Sequence, residues 1–158
     1  MKKIAVYPGS FDPITLGHLD IIERSARIFD QIIVVIMDNS NKDCLFDREE
    51  RLDMIKETCK HLDNVECLIG EGLSVDFAKK HNAVAMIRGM RAVADYEYEM
   101  QNASANMYIN PDIETCFLLS KPKYSFYSSS TVKELAKYHQ DVSIFVDEYV
   151  ENKLKDKF

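Results

Sequence analysis

The stretch that decides the fold lies at residues 32–37 and reads IIVVIM. All of its side chains are apolar, without the alternation of apolar and polar residues that marks a half-buried strand. A strand of this kind is buried on both faces, as in a parallel sheet covered by helices. The chain on either side of it should then alternate between strands and helices.

The flanking sequence has that alternation. Short stretches typical of strands occur at residues 4–7, 65–69, 84–87 and 115–119. Between them, apolar residues recur at steps of three and four, the spacing of one helix face. These faces run through Leu19, Ile22, Ala26 and Phe29; Leu52, Ile55, Cys59 and Leu62; Tyr96, Met100, Ala103 and Met107; Val132, Leu135 and Ala136; and Val142, Val146, Tyr149 and Val150. The pattern predicts one Rossmann-like α/β domain over residues 1–158, a five-stranded parallel sheet with helices on both faces.

Composition narrows the class of protein. The chain has 158 residues, 46% of them hydrophobic and 29% charged, as in a folded soluble domain. Its longest wholly apolar run is far shorter than the roughly 20 residues of a membrane span. A net charge of −6 argues against nucleic-acid and anionic-membrane partners. The cysteines form no C-x-x-C pair, so we expect neither a zinc site nor a redox motif, but reduced thiols in a cytoplasmic protein: Cys44, Cys59, Cys67 and Cys116.

Ligands of such sheets bind beyond the carboxyl ends of the strands, so the loops there are candidate sites. The first of them, residues 8–18, reads PGSFDPITLGH. Thr15 is a good N-cap for a helix that begins near Gly17, and the absent side chain of Gly17 lets a ligand approach closely. His18 would lie in the first helical turn, where backbone N–H groups attract anions. The sequence lacks G-x-G-x-x-G, which argues against an NAD site.

Three cations follow later strands. Lys42 lies in a polar loop at residues 39–43, just beyond the central strand. Arg88 and Arg91 lie around Gly89, directly after a strand predicted to end at Ile87. Lysine provides a point charge and arginine a bidentate fork for phosphate oxygens, so these residues predict an anion clamp.

The loop at residues 9–18 resembles the first signature of the nucleotidylyltransferase superfamily, whose core is (H/T)-x-G-H. Three further segments resemble the phosphopantetheine adenylyltransferase family: IRGMR at 87–91, DYEYEM at 95–100 and YSFYSSSTVKE at 124–134. The resemblance covers nearly the whole chain. It implies transfer of AMP from ATP to 4′-phosphopantetheine, giving dephospho-coenzyme A and pyrophosphate, the penultimate step of coenzyme A synthesis. It also implies inhibition by coenzyme A and a homohexamer, with the aromatic and methionine side chains near Tyr96 and Tyr108 at an interface.

The resemblance also implies residue roles. His18 would stabilise the transition state, with Lys42 and Arg91 helping. Phosphopantetheine would be bound by Ser10, Lys42, Ser74 and Arg88. ATP would be bound by Ser10, Phe11, His18, Gly89, Met90, Arg91, Glu99, Tyr124, Ser125, Phe126, Tyr127, Ser128, Ser129 and Ser130. Mg²⁺ is expected to travel with the triphosphate, because the sequence offers no carboxylate cage of its own.

The serine-rich segment before Val132 is similar to the superfamily's second signature, I-S-S-T-x-x-R. Tyr127 replaces the isoleucine, and Glu134 stands at the position that we assign to the arginine. The positive charge would then come from Arg91, Lys42 or a metal. Thr131 and Glu134 also fit a capping box at the start of the helix.

Two other functions remain open. One is a related cytidylyl- or adenylyltransferase with a different phosphorylated acceptor, against which the segments at 88–91 and 97–100 argue. The other is a nucleotide sensor without catalysis. Such a protein has little need of the full set His18, Lys42 and Arg91.

Overall fold

The structure is a computed structural model that describes residues 1–38 and 41–158, with backbone only at positions 93 and 94. Asn39 and Ser40, which belong to the predicted polar loop, lie outside the described residues. No helix in the described part of the chain combines the length and apolarity that crossing a membrane requires. The four cysteines are all described and are free thiols.

The strands form one parallel sheet, so the predicted fold class is confirmed. Its order is β3-β2-β1-β4-β5. The strands are β1 (Ile4–Gly9), β2 (Gln31–Met37), β3 (Val65–Gly70), β4 (Ala85–Met90) and β5 (Glu114–Leu119).

Helices flank the sheet: α1 (Leu16–Ala26), α2 (Arg48–Thr58), α3 (Ser74–Lys80), α4 (Val93–Ile109), α5 (Ser129–Lys137) and α6 (Glu148–Lys157). The sequence did not predict α3, because its seven residues bury only Val75 and Ala78, too few to show a helical period. The closing helix was predicted too early. Val142 and Val146 precede it, and Asp147 caps it by accepting a hydrogen bond from the Val150 amide.

The two faces of the sheet have separate cores. Ala5, Tyr7 and Ile87 face the larger one, where the buried side chains of α1, α2, α5 and α6 pack. Val6 and Met86 point the other way, towards Val75 and Ala78 of α3. Each large aliphatic side chain buried here contributes about 1.5–3 kcal/mol to folding. Alternation along β4 places Arg88 on the same face as Met86, beneath α4.

The strand order reverses at β1, and the crevice that results positions the candidate site. β1 pairs with β2 along its whole length but with β4 only at Ala5 and Val6. Beyond Val6 the two strands separate, which is the switch point where ligands bind in open α/β sheets. Pro8 is tolerated in this central strand because it lies past the pairing with β4, where no amide donor is needed.

Two strands continue two or more residues past their predicted ends. β1 includes Pro8 and Gly9, since Gly9 still pairs with Ile36. β4 continues to Met90, which pairs with Leu119. Arg88 therefore lies inside β4, not after a strand ending at Ile87. Ladder pairing with a neighbour extended both strands beyond their apolar sequence runs.

Candidate active site

A cavity of about 530 Å³ opens at the crevice between the carboxyl ends of β1 and β4. Its walls come from the β1–α1 loop, residues 42–44, the region from the end of β4 into α4, and residues 120–133. The predicted site residues that line it are Ser10, Phe11, His18, Lys42, Arg88, Gly89, Arg91, Glu99, Tyr124, Tyr127, Ser128, Ser129 and Ser130.

The other four predicted residues do not line the cavity. Ser74 lies at the start of α3, and Met90 ends β4. The Ser125 hydroxyl donates to the Lys121 carbonyl oxygen, and Phe126 is 92% exposed. Their assigned roles remain predictions from the resemblance.

Phe11 gives the β1–α1 loop its shape. Its φ of 48° lies in the left-handed region, which is unfavourable for an aromatic residue. Its ring packs edge-on against Tyr7 and His18, at centroid distances of 5.4 and 5.1 Å. A Cβ at Gly9 would lie 2.9 Å from that ring, so only glycine allows the loop to fold back on the strand. This packing supports the imidazole from one side.

The sequence correctly placed His18 in the first turn of α1, capped by Thr15. The Thr15 hydroxyl accepts a hydrogen bond from the His18 amide, at 3.3 Å. The Thr15 amide in turn donates to Nδ1 of His18, at 3.0 Å. Because Nδ1 accepts a hydrogen bond there, the neutral ring carries its proton on Nε2. The cap therefore fixes the tautomer and leaves Nε2–H as the donor for a ligand.

The surroundings keep this imidazole neutral. Burial, followed by the positive charges of Arg91, Arg88 and Lys42, lowers the pKa of His18 from 6.5 to about 4. The ring can then donate a hydrogen bond to an anion at neutral pH without carrying charge itself. The same three cations generate a field that attracts phosphate groups.

The lowered pKa predicts a pH-dependent stability. Between about pH 4 and 6.5 the unfolded chain protonates His18 whereas the folded chain does not, so the unfolding free energy falls as pH falls through this window. We expect the stability of His18→Gln, relative to wild type, to rise as pH drops from 6.5 to 4. Thermal unfolding of both proteins across this range measures it, and His139→Gln, at an exposed site, is the control. Parallel curves for wild type and His18→Gln would contradict the prediction.

Arg88 and Glu99 form an ion pair across the crevice. Nε and Nη2 of Arg88 donate to the two carboxylate oxygens of Glu99, both at 2.8 Å. Nη1 donates to the Pro8 carbonyl oxygen, at 2.9 Å. Sequence reasoning had considered Glu99 as an ATP ligand or a solvated acid, yet its carboxylate is buried and holds the arginine fork at the cavity wall.

The N-terminus of α5 faces the cavity, but it begins earlier than predicted. The N-cap is Ser128, whose hydroxyl accepts from the Thr131 amide, so Thr131 is not the cap. Sequence reasoning missed this because the first turn is polar and the apolar period starts only at Val132. The Ser129 hydroxyl donates to the Pro13 carbonyl oxygen, at 2.8 Å, and ties α5 to the β1–α1 loop.

The cavity residues that were not selected from the sequence include an ion pair, Lys133 and Asp12. Lys133 lines the cavity, whereas Glu134 is exposed and lies outside it. The segment that resembles the second signature therefore supplies a positive charge of its own, Lys133. From the sequence, that charge was expected to come from Arg91, Lys42 or a metal. Reading Ser130 as the threonine of the second signature would have placed Lys133 at the arginine position. Asp12, which forms an ion pair with Lys133, lies in the loop at residues 8–18, and no role was assigned to it from the sequence.

Arg91 connects two walls of the site. Its Nη1 donates to the Tyr127 carbonyl oxygen, at 3.0 Å, and its amide donates to Asp95 in the first turn of α4. Within the residues that the structure describes, no three His, Cys, Asp or Glu side chains cluster as metal ligands would.

Solved structures of low sequence identity share the fold. A nicotinic acid mononucleotide adenylyltransferase from Plasmodium falciparum, complexed with NaAD, is 15% identical with a TM-score of 0.72, over 99% of this chain and 96% of that one. A candidate nicotinate-nucleotide adenylyltransferase from Vibrio parahaemolyticus is 17% identical with a TM-score of 0.70, over 98% and 99%. A bifunctional NMN adenylyltransferase/ADP ribose pyrophosphatase from Francisella tularensis is 16% identical with a TM-score of 0.75, over 99% of this chain and 49% of that one.

At the level of sequence, the model of one protein family matches residues 6–135 of the chain, and its description is cytidylyltransferase-like. The match spans every described residue that lines the cavity.

Proposed function

The chain belongs to the cytidylyltransferase-like family. From that membership and the resemblance to phosphopantetheine adenylyltransferases, we propose that it transfers the AMP group of ATP to the phosphate of 4′-phosphopantetheine. An acceptor phosphate oxygen forms a bond to the α-phosphorus, and the bond from that phosphorus to the oxygen bridging to the β-phosphate breaks. The electron pair leaves with pyrophosphate, and dephospho-coenzyme A is the other product. The acceptor is itself the nucleophile, so no covalent enzyme intermediate is needed.

One observation carries the proposal: a neutral imidazole and three cations converge on one cavity at the switch point of the sheet. His18 offers a fixed Nε2–H donor, and Lys42, Arg88 and Arg91 provide positive charge around it. Joining two polyanions requires alignment and compensation of the charge that builds at the α-phosphate. A cavity of about 530 Å³ is of the size that small-molecule substrates occupy.

The residue roles follow the resemblance and the geometry together. His18 would stabilise the charge on the α-phosphate, with Lys42 and Arg91 assisting. Ser10, Lys42 and Arg88 would bind the acceptor, and Ser74, which does not line the cavity, is assigned to the acceptor from the resemblance alone. Glu99 would serve chiefly by orienting Arg88, with residues 124–130 and the N-terminus of α5 on the ATP side. Mg²⁺ would enter as the Mg²⁺–ATP substrate.

The choice of acceptor rests on the segments at residues 87–91, 95–100 and 124–134 that resemble phosphopantetheine adenylyltransferases. The solved structures that share the fold bear the names of nicotinate- and NMN-type adenylyltransferases, so a pyridine mononucleotide is the second candidate. A nucleotide sensor is the third.

Assembly and regulation belong to the same proposal. Several large apolar side chains of α4 are more than half exposed, which suits an interface: Tyr96, Tyr98, Met107 and Tyr108. We propose a homohexamer, as the resemblance implies, with coenzyme A as an inhibitor that shares the acceptor subsite.

A substrate panel tests the proposed reaction. Purified protein with Mg²⁺–ATP should release pyrophosphate when 4′-phosphopantetheine is present, and mass spectrometry should identify dephospho-coenzyme A. Nicotinate mononucleotide and a reaction without acceptor are the comparisons. Release with nicotinate mononucleotide alone would overturn the acceptor. Binding of ATP without turnover on any acceptor would favour the sensor.

A further inference from the structure

Asp12 connects three segments of the cavity wall through one side chain. Its carboxylate is buried, with 5% of the residue exposed. Oδ1 accepts a hydrogen bond from the Phe46 amide, at 3.0 Å. Oδ2 accepts from the Leu45 amide, at 2.9 Å, and from Nζ of Lys133, at 2.7 Å. The β1–α1 loop is thereby tied both to the segment after β2 and to α5.

The hydrogen bonds that Asp12 accepts from the Leu45 and Phe46 amides affect the position of Lys42. Phe46 is only 1% exposed and packs in the core, so it is a fixed point for this segment. Lys42 lies just four positions before it, in a part of the chain that is exposed. The hydrogen bonds from Asp12 set where residues 42–46 lie relative to the loop that leads to His18. The distance between Lys42 and His18 therefore depends on Asp12.

The ion pair between Asp12 and Lys133 affects the net charge of the cavity wall. Asp12 is an anion at the wall of a cavity whose other charged residues would attract phosphate. The ammonium of Lys133, with 24% of its side chain exposed, compensates that negative charge. Removal of either partner should therefore change polyphosphate binding, and in opposite directions.

We propose that Asp12 is a positioning residue for nucleotidyl transfer, which holds the Lys42 segment and α5 in register around His18. This inference rests on the proposed function. Both carboxylate oxygens are occupied by protein donors, so Asp12 acts through its neighbours and not on the reacting phosphates. A carboxylate that merely stabilised the fold would not lower kcat while leaving the KM for ATP unchanged or lower.

The Asp12→Asn variant tests the proposal, because it keeps the shape and removes the charge. The asparagine side chain has one acceptor oxygen where the carboxylate has two, so at least one of the three hydrogen bonds to residue 12 is lost. We expect kcat to fall by about 10–100-fold, the scale of a misplaced catalytic group. The KM for ATP should stay unchanged or fall, because Lys133 loses its counter-charge. A KM that rises in step with the loss of kcat would overturn the proposal, as would a wild-type kcat.

Amide hydrogen exchange of Leu45 and Phe46 gives a readout that needs no reaction. In Asp12→Asn at least one of these two amides should exchange at least about tenfold faster than in wild type, with other core amides unchanged. Unchanged exchange would overturn the tie. If the wild-type protein transfers no nucleotide, the proposed function fails while the exchange result still stands, so the two failures are distinguishable.

Two further variants keep the test decisive even if Asp12→Asn does not fold. Lys133→Met should raise the KM for ATP while leaving the Leu45 and Phe46 amides protected, and an unchanged KM would contradict the role of the pair. Asp30→Asn is the matched control. Its carboxylate also accepts from a backbone amide distant in sequence, that of Lys3, but it lies outside the cavity lining. It should retain wild-type kcat and KM, and a loss equal to that of Asp12→Asn would point to a general structural effect.

Discussion

We expect the His18→Ala variant to lose about 10²–10³-fold in kcat, the usual scale for removing one preorganised donor from a developing oxyanion. The ring that is removed is neutral, with its proton on Nε2, because the Thr15 amide occupies Nδ1. Its hydrogen bond to the α-phosphate would strengthen as negative charge builds there. The Kd for ATP should change much less, since under the proposed function Arg91 and the N-terminus of α5 would still bind the phosphates.

Steady-state kinetics and isothermal titration calorimetry measure these two quantities separately. His81→Ala is a matched control, because His81 stacks on Phe77 outside the cavity lining and should keep wild-type kcat. A fall in kcat smaller than about fivefold would remove His18 from the role of transition-state stabiliser. A large loss of ATP affinity with unchanged kcat would instead make it a binding residue.

Much of this site follows from local sequence. The cap at Thr15, the first-turn position of His18 and the apolar strand β2 depend on residues close together in the chain, so spacing and propensity predict them. The parallel sheet follows from the same alternation of strands and helices. Its strand order was not predicted. The position of the site at the strand ends then follows from the fold class.

The parts that were missed depend on contacts between residues far apart in the chain. Asp12 meets Lys133 across 121 positions, and neither is distinctive alone. The start of α5 depends on the hydroxyl of Ser128. Because the first turn of α5 is polar, the apolar periodicity does not indicate where the helix begins. β4 extends past Ile87 because β5 lies beside it, and no window on β4 alone contains that information.

The pairing of Arg88 with Glu99 leads to the second large effect. The side chain of Glu99 is 9% exposed and that of Arg88 30%. Loss of the partner should therefore cost the glutamate more than the arginine. Without the arginine, a buried carboxylate has no counter-charge, which typically costs about 3–5 kcal/mol. Without the glutamate, the arginine keeps the Pro8 carbonyl and partial access to solvent, and the loss is smaller.

We therefore expect Arg88→Met to lower the melting temperature by about 6–20 °C, with about 2–4 °C for each kcal/mol in a chain of this size. Glu99→Gln should lower it much less, and adding Glu99→Gln to Arg88→Met should recover most of the loss, because the unpaired charge is gone. Acceptor use should nevertheless remain poor in both proteins that lack Arg88. Thermal unfolding and the KM for 4′-phosphopantetheine across the three variants measure stability and function independently. Equal destabilisation by Arg88→Met and Glu99→Gln would show that the difference in burial does not make the loss of one partner costlier than the loss of the other. Recovered acceptor use in the double variant would show that binding of the acceptor phosphate does not depend on Arg88.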